Sequence, residues 1–185
     1  MGQVKQLLPL GNKLVIRHCL DTIIAAGVRD IVVVVEPKSE GKIAEALQGL
    51  PIRMVTSSNP DAEMAQSVRT GLRAVSKSFT GVLICLSDHP LASAQTLKLL
   101  ITTHRENPHK IIVPFYDGKG GHPSLFPREI VEEIFSGCTL REILRRDPDR
   151  VKYVAVADEG VILDMDTVED YQRMHEKYKN QRTDK

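Results

Sequence analysis

The sequence predicts an α/β fold, in which helices cover both faces of a mostly parallel sheet in three layers. Segments with helical spacing of apolar residues alternate with short apolar runs over nearly the whole chain, which is typical of α/β proteins. The run DIVVVVE, residues 30–36, is continuous and β-branched, as in a strand that is buried on both faces of a parallel sheet. The sequence shows no internal repeat and no low-complexity tract.

The first half of the chain divides into three helix and strand pairs. A helix is predicted first, because apolar residues recur at helical spacing from Ile16 to Ile24 and Gly27 follows at a typical C-terminal position. The further elements predicted here are the strand 30–36, a helix from Ser39 to about Gln48, the strand 52–56, a helix over 64–75 and the strand 82–86.

The second half continues the alternation and ends in a charged segment. Its predicted elements are a helix from about Ser93, the strand 110–115, a Gly-rich turn, helices near 128–135 and 139–146, strands 152–156 and 161–164, and a helix from Thr167. We expect a single domain over residues 1–176 and a solvated C-terminal tail over residues 177–185, which is rich in charge.

Composition points away from nucleic acid and membranes as partners. The 185 residues include 25 Lys and Arg against 24 Asp and Glu, so the chain carries no strong net field. Three well-separated cysteines without a C-x-x-C pair predict reduced thiols. No long apolar stretch or signal peptide is present in the sequence, and we expect a cytoplasmic protein.

Carboxylates follow two apolar runs at the points where predicted strands end. Asp88 follows the run GVLIC, and Asp164 and Asp166 follow VIL. Because ligands bind outside the carboxyl ends of strands in such sheets, these residues are candidates for binding Mg²⁺ and a phosphorylated substrate. The alternative is capping. Ser87 or Asp88 would cap the helix that follows, with Pro90 as a turn former, and Asp166 would cap the last helix, with Glu169 at the capping-box position.

Five segments together carry a resemblance to a known family. In order, they are MGQVKQLLPLGNK, SDHP, GGHPSLF, LRRDPDRV and LDMDTVEDY. In this order and spacing they resemble the molybdenum cofactor cytidylyltransferases and their MobA-like relatives. The resemblance implies a Rossmann-like nucleotidyltransferase fold. It also implies transfer of a nucleoside monophosphate from CTP, or from GTP, to the terminal phosphate of a molybdopterin acceptor, with release of pyrophosphate.

The resemblance assigns roles to several residues. Asp88 matches the Mg²⁺-binding aspartate, Lys5 the lysine that contacts the triphosphate, and Asp166 a second metal contact. His122 lies in a turn that borders the pterin side in the family. Without the family, Lys5 is an ordinary solvated lysine near a terminus and His122 a turn residue bonded to backbone.

A further segment, NPDAEMAQSVRTGL, adds two candidates. It resembles the family region in which Asn59 and Ser67 would face nucleotide or cofactor, and a helix start offers free N–H groups to an anion. The alternative is a plain Asn-Pro turn at Asn59 and an exposed helical serine at position 67.

The sequence also departs from the family pattern. It starts inside the family signature, so the first strand and the Gly-rich phosphate-binding loop of that signature are not in it. A late start codon, a truncation and a variant that binds without catalysing remain open. A central strand that is missing leaves a neighbour without backbone partners, so we expect the gap to be filled or the sheet to rearrange.

Two other functions remain open on the sequence. One is a nucleotidyltransferase that acts on a sugar phosphate or another phosphorylated alcohol. The other is a non-catalytic nucleotide- or pterin-binding module that delivers the cofactor to a molybdoenzyme partner. Self-association into a homo-oligomer is compatible with either.

Overall fold

The structure is a computed structural model that describes residues 4–57 and 64–183. Its strands are β1 (Pro9–Leu10), β2 (Lys13–Leu14), β3 (Val32–Val35), β4 (Arg53–Thr56), β5 (Gly81–Ile84), β6 (Ile111–Tyr116), β7 (Lys119–Gly120), β8 (Ser124–Pro127) and β9 (Val151–Ala155). Its α-helices are α1 (Val15–Ala25), α2 (Glu40–Ala46), α3 (Met64–Ala74), α4 (Ala94–Glu106), α5 (Arg128–Val131), α6 (Leu140–Arg146) and α7 (Val168–Thr183).

Helix α1 follows its sequence pattern closely. It buries Ile16, Leu20 and Ile23 on one face, which is the face that the helical spacing of the apolar residues predicts. The chain leaves the helix through Gly27, whose φ of +87° is a left-handed conformation that glycine adopts without steric cost. The predicted start and end of this helix are therefore confirmed.

The α/β fold is confirmed, but its five-stranded sheet is mixed rather than mostly parallel. Strands β3 and β4 form a parallel pair, and a second sheet has the order β5-β8-β6-β7, with β9 parallel to β6. Strand β8 lies antiparallel between β5 and β6. Strand β8 was not predicted, because its four residues lie directly before α5, which begins the segment 128–135 that was predicted as helix.

Strands β1 and β2 form a separate antiparallel pair. The β3–β4 pair and the five-stranded sheet share covering helices, but no strand of the described residues joins them. Within the described residues, β3 pairs with β4 alone and β5 with β8 alone. Helix α1 packs in one hydrophobic cluster with side chains of β3 and β5, among them Val33 of β3 and Leu83 of β5. On the other face, Gly71 of α3 approaches Val34 closely, and Leu72 shares a cluster with Val82. Among the described residues, no strand lies between β3 and β5, so the gap is not filled and the strands remain in separate sheets.

The segment predicted as the strand 161–164 is not a strand. Residues Glu159–Ile162 form a 3-10 helix, because the Asp158 carboxylate accepts a hydrogen bond from Gly160 N at 3.1 Å and starts a turn there. A Cβ on Gly160 would lie 2.3 Å from the carbonyl oxygen of Leu91. This close backbone contact fixes the turn against the segment that follows β5.

Helix α7 closes the fold near the start of the chain. Thr167 and Asp170 cap it reciprocally, since each side chain accepts a hydrogen bond from the other's backbone N–H, at 2.9 and 3.0 Å. The Tyr178 ring packs edge-on against His18, with 5.0 Å between the ring centroids. The helix therefore continues into the segment expected to be a charged tail. None of the helices among the described residues is long and apolar enough to cross a membrane.

Candidate functional site

The candidate site begins at the turn that follows β5. His89 N donates to Leu86 O at 3.4 Å across this turn, which leaves the Asp88 carboxylate at the end of the strand. Asp88 Oδ1 is buried, and within the described residues it accepts no hydrogen bond. Helix α4 is capped instead by Ser93, whose hydroxyl accepts from Thr96 N at 3.1 Å. The capping interpretation of Asp88 is therefore wrong.

The segment around Lys5 reaches the same place. Lys5 Nζ lies 2.8 Å from Asp166 Oδ1, and Gln6 Nε2 donates to Ser87 Oγ at 3.2 Å. Both contacts come from one short 3-10 helix, Lys5–Leu7. Because Thr167 and Asp170 cap α7, Asp166 does not serve as its side-chain cap. The structure thus brings Lys5 to Asp166 and links this segment to the turn that carries Asp88.

Two histidines complete the wall of the site. The rings of His89 and His122 meet edge to face, with centroids 5.3 Å apart, and His89 Nε2 lies 4.0 Å from Asp88 Oδ1. His122 is held by its backbone, because its N–H donates to Val161 O at 2.7 Å. The Nδ1 atoms of both rings are buried and have no hydrogen-bond partner in the parts of the chain that the structure describes.

Burial keeps both imidazoles neutral near pH 7. Desolvation lowers the pKa of His89, although the charges of Asp88, Asp164 and Asp166 oppose this shift. Desolvation and the neighbouring His89 lower the pKa of His122 to about 4. The three carboxylates act on His89 electrostatically, which places them around one imidazole although they come from distant parts of the sequence.

Two thiols lie beneath the turn. Cys19 Sγ is 3.7 Å from Ser87 O, and the three cysteines are free thiols, as predicted. Burial raises the pKa of Cys85 to about 12 and raises that of Cys19 as well. Both groups therefore stay protonated and contribute packing rather than a nucleophile.

The remaining candidates lie apart from this cluster or outside the described residues. Asn59 falls in the segment 58–63, which is outside the described residues. Ser67 lies in the first turn of α3, and the hydrogen bonds described for the chain do not connect it to Lys5, Asp88 or His122. His89 was not predicted as a site residue, although its position next to Asp88 was an available signal.

The carboxylates of the site suit a divalent cation that keeps most of its bound water molecules. Among residues 4–57 and 64–183, no group of three or more His, Cys, Asp or Glu side chains is arranged to hold a metal ion. Mg²⁺ needs only one or two carboxylates besides water and substrate phosphates. The buried, unpartnered Oδ1 of Asp88 fits such a ligand, because an unpaired carboxylate oxygen is otherwise costly to bury.

A lysine and carboxylates meet at the carboxyl end of β5 in an α/β fold, an arrangement that suits a divalent cation and phosphate groups. A family model, the MobA-like NTP transferase domain, matches residues 1–151, and the chain belongs to this family. The expected family and its Rossmann-like nucleotidyltransferase fold are therefore confirmed.

Individual relatives cover nearly the whole chain. Nicotine blue oxidoreductase from Paenarthrobacter nicotinovorans is 27% identical over 181 residues, which are 92% of this chain and 87% of that protein. Rv0371c from Mycobacterium tuberculosis H37Rv, known from a crystal structure, is 30% identical in sequence, and the two structures superpose with a TM-score of 0.80. The match covers 95% of this chain and 91% of the Rv0371c chain. A structure of Rv0371c in complex with manganese matches this chain with 28% identity and a TM-score of 0.77. That match covers 95% of this chain and 93% of the Rv0371c chain.

A more distant structure shares the fold alone. Molybdopterin-guanine dinucleotide biosynthesis protein A from Archaeoglobus fulgidus has 15% identity and a TM-score of 0.72, with 97% of this chain and 92% of that chain covered.

Proposed function

We propose that this chain transfers a nucleoside monophosphate from CTP, or from GTP, to the terminal phosphate of a molybdopterin-type acceptor. The observation that carries the proposal is the meeting of Lys5, Asp166 and the turn of Asp88 at the carboxyl end of β5. A cation can contact the phosphates and carboxylates can hold a divalent metal at this end of the strand, where ligands bind in α/β proteins. A cytoplasmic location is part of the proposal, because the cysteines are free thiols.

The reaction makes little demand for a nucleophile from the protein. An oxygen of the acceptor phosphate attacks the α-phosphorus of the donor, a new P–O bond forms, and the bond to the bridging oxygen breaks as pyrophosphate leaves. Catalysis then depends on positioning and on stabilising the negative charge that develops on the leaving group. Lys5 is a cation that contacts Asp166, and we assign it to the triphosphate.

Asp88 and Asp166 are the residues that would hold a divalent cation, which we propose to be Mg²⁺. The cation would supply charge neutralisation on the phosphates. The manganese complex of Rv0371c supports a divalent metal in this family. The neutral rings of His89 and His122 contact each other beside Asp88, and we propose that His122 faces the acceptor. Asn59 and Ser67 remain proposed contacts to nucleotide or cofactor.

The test is nucleotide binding followed by product analysis. The melting temperature is measured with CTP and with GTP, each with Mg²⁺, with Mn²⁺ and with EDTA, because a ligand that binds only the native state raises it. A metal-dependent increase with one nucleotide identifies the donor. Mass spectrometry of a reaction with molybdopterin then shows whether a nucleotidylated pterin is formed. A parallel reaction with a sugar phosphate tests the alternative acceptor. Metal-dependent binding without turnover on any acceptor would identify a non-catalytic binding module.

A further inference from the structure

A pocket lies at the opposite end of β5 from Asp88. It has a volume of about 290 Å³, which is close to the lower end of the range for small-molecule sites. Phe79 precedes β5, whereas Asp88 follows it, so the strand separates this pocket from the candidate nucleotide site. The polar and aromatic residues that line it are Arg73, Lys77, Phe79, Arg128, Glu132 and Phe135.

Aromatic rings under guanidinium groups form much of the lining. The Arg128 guanidinium carbon lies 5.0 Å from the centroid of the Phe79 ring, and that of Arg73 lies 5.4 Å from the centroid of Phe135. Both distances are in the range of cation–π contacts. The Phe135 residue is 45% exposed, which is unusual for a phenylalanine and leaves ring surface open to a ligand.

The charge of the pocket is not balanced by its own residues. Arg128 Nε lies 2.9 Å from Glu132 Oε1, and its Nη1 donates to Lys77 O. No carboxylate partners the side chains of Arg73 and Lys77 in the part of the chain that the structure describes, although both line the pocket. The lining therefore holds three cations and one carboxylate, and one of the unpaired cations, Arg73, lies beside the exposed ring of Phe135.

We propose that this pocket binds a small aromatic anion, in the class of aryl phosphates and aryl carboxylates. The ligand ring would pack on Phe135 and Phe79, and its anionic group would accept hydrogen bonds from Arg73 and Lys77. Charge complementarity selects the anion, because a neutral aromatic molecule would leave the two cations unpaired. The stacked guanidinium groups favour a planar ligand over an aliphatic one.

The test is a calorimetric titration of the whole chain with phenyl phosphate, with phenol and inorganic phosphate as separate arms. We expect saturable one-to-one binding of phenyl phosphate, weaker binding of either half, and no competition from CTP with Mg²⁺. The double variant Arg73→Gln/Lys77→Gln should weaken binding by about tenfold or more, since it removes charge-assisted hydrogen bonds. Phe135→Ala should weaken the binding of phenyl phosphate but not the binding of inorganic phosphate.

The matched control is Lys42→Gln/Lys98→Gln, which removes two exposed lysines on α2 and α4. It should bind phenyl phosphate as the unmodified chain does. The proposal is overturned if phenyl phosphate does not saturate, if phenol or inorganic phosphate binds equally well, if CTP displaces it, or if the control variant loses as much affinity. Because the substituted side chains are exposed, circular dichroism and the melting temperature should be unchanged in all variants.

Discussion

The Lys5 ammonium lies 2.8 Å from Oδ1 of Asp166, a residue 161 positions later in the chain. The pair is exposed, with 32% and 66% of the two side chains accessible, and such pairs contribute little to stability. Its consequence is positional. It holds a cation beside the turn that follows β5, where Gln6 also contacts Ser87.

Substituting Lys5 by glutamine should separate activity from stability. We expect Lys5→Gln to lower kcat for nucleotidyl transfer by about 10²–10³, the cost of losing one preorganised group that stabilises developing negative charge. The free energy of unfolding should change by less than about 1 kcal/mol, because the ion pair is solvated. Steady-state kinetics and urea unfolding measure the two quantities.

The control for this variant is Lys13→Gln. Lys13 forms a similarly exposed pair with Asp21, at 2.5 Å, but it is not part of the candidate site. The variant Lys13→Gln should therefore leave kcat unchanged. Equal losses of activity in the two variants would mean that Lys5 has no specific role in the reaction.

Asp88→Asn should abolish metal-dependent nucleotide binding while the fold persists. Oδ1 of Asp88 is buried and accepts no hydrogen bond from the described residues, so the native structure does not depend on that oxygen. We expect the melting temperature without ligand to stay the same or to rise, and the increase caused by nucleotide with Mg²⁺ or Mn²⁺ to disappear.

A structural carboxylate nearby provides the contrast. Asp158 accepts hydrogen bonds from Ser93 N at 2.8 Å, Thr96 Oγ1 at 2.6 Å and Gly160 N at 3.1 Å. Asp158→Asn should therefore cost about 1–3 kcal/mol of folding free energy. If Asp88→Asn instead melts early and still binds nucleotide, Asp88 has the structural role and the metal assignment fails.

Local patterns in the sequence were sufficient for much of the fold. Helix α1 and its end at Gly27 were predicted because helical spacing and a left-handed glycine are local properties. Residues 161–164 were misassigned because a short apolar run fits a strand or a turn equally well. The turn is decided by Asp158 and by the close contact of Gly160 with Leu91, which no local pattern reveals.

The site was predictable in its residue types but not in its assembly. Asp88 was indicated by its place after an apolar run, and Lys5 by resemblance to a family. The contacts of Lys5 with Asp166 and of His89 with His122 join segments that lie far apart in the sequence. Their formation depends on how the sheets and helices pack, so the sequence alone did not identify His89.

The stability of the metal-free protein should fall as the pH is lowered from about 6.5. Burial and the neighbouring His89 lower the pKa of His122 to about 4 in the native state, from an ordinary value of 6.5. Between these values the unfolded chain binds a proton that the native chain does not, so acid favours unfolding. Protonation of His122 lowers the free energy of unfolding by at most about 3 kcal/mol, and this decrease is complete below about pH 4.

Urea unfolding in EDTA at a series of pH values measures this effect. The variant His122→Gln should show a shallower decrease between pH 6.5 and pH 4, whereas His109→Gln, at an exposed histidine, should behave as the unmodified chain does. The same slope in His122→Gln would show that His122 is protonated as readily in the native state as in the unfolded state.

Two glycine-to-alanine substitutions should change stability in opposite directions. A Cβ on Gly160 would lie 2.3 Å from Leu91 O and 2.7 Å from Ala92 N, so Gly160→Ala must push apart two backbone segments. We expect a loss of about 2–4 kcal/mol. Gly41 is the second residue of α2 and has nothing within 4 Å of the added atom, so Gly41→Ala should stabilise the fold by up to about 1 kcal/mol.

Chemical unfolding of both variants gives these free energies, and nucleotide binding adds a functional readout. Gly160→Ala should also weaken metal-dependent nucleotide binding, because the turn of Gly160 packs against the segment after β5 and its neighbour Val161 holds the backbone of His122. Gly41→Ala should leave binding unchanged. If Gly160→Ala were as stable as the unmodified chain, the two segments would not be in the close contact on which the geometry of the site depends.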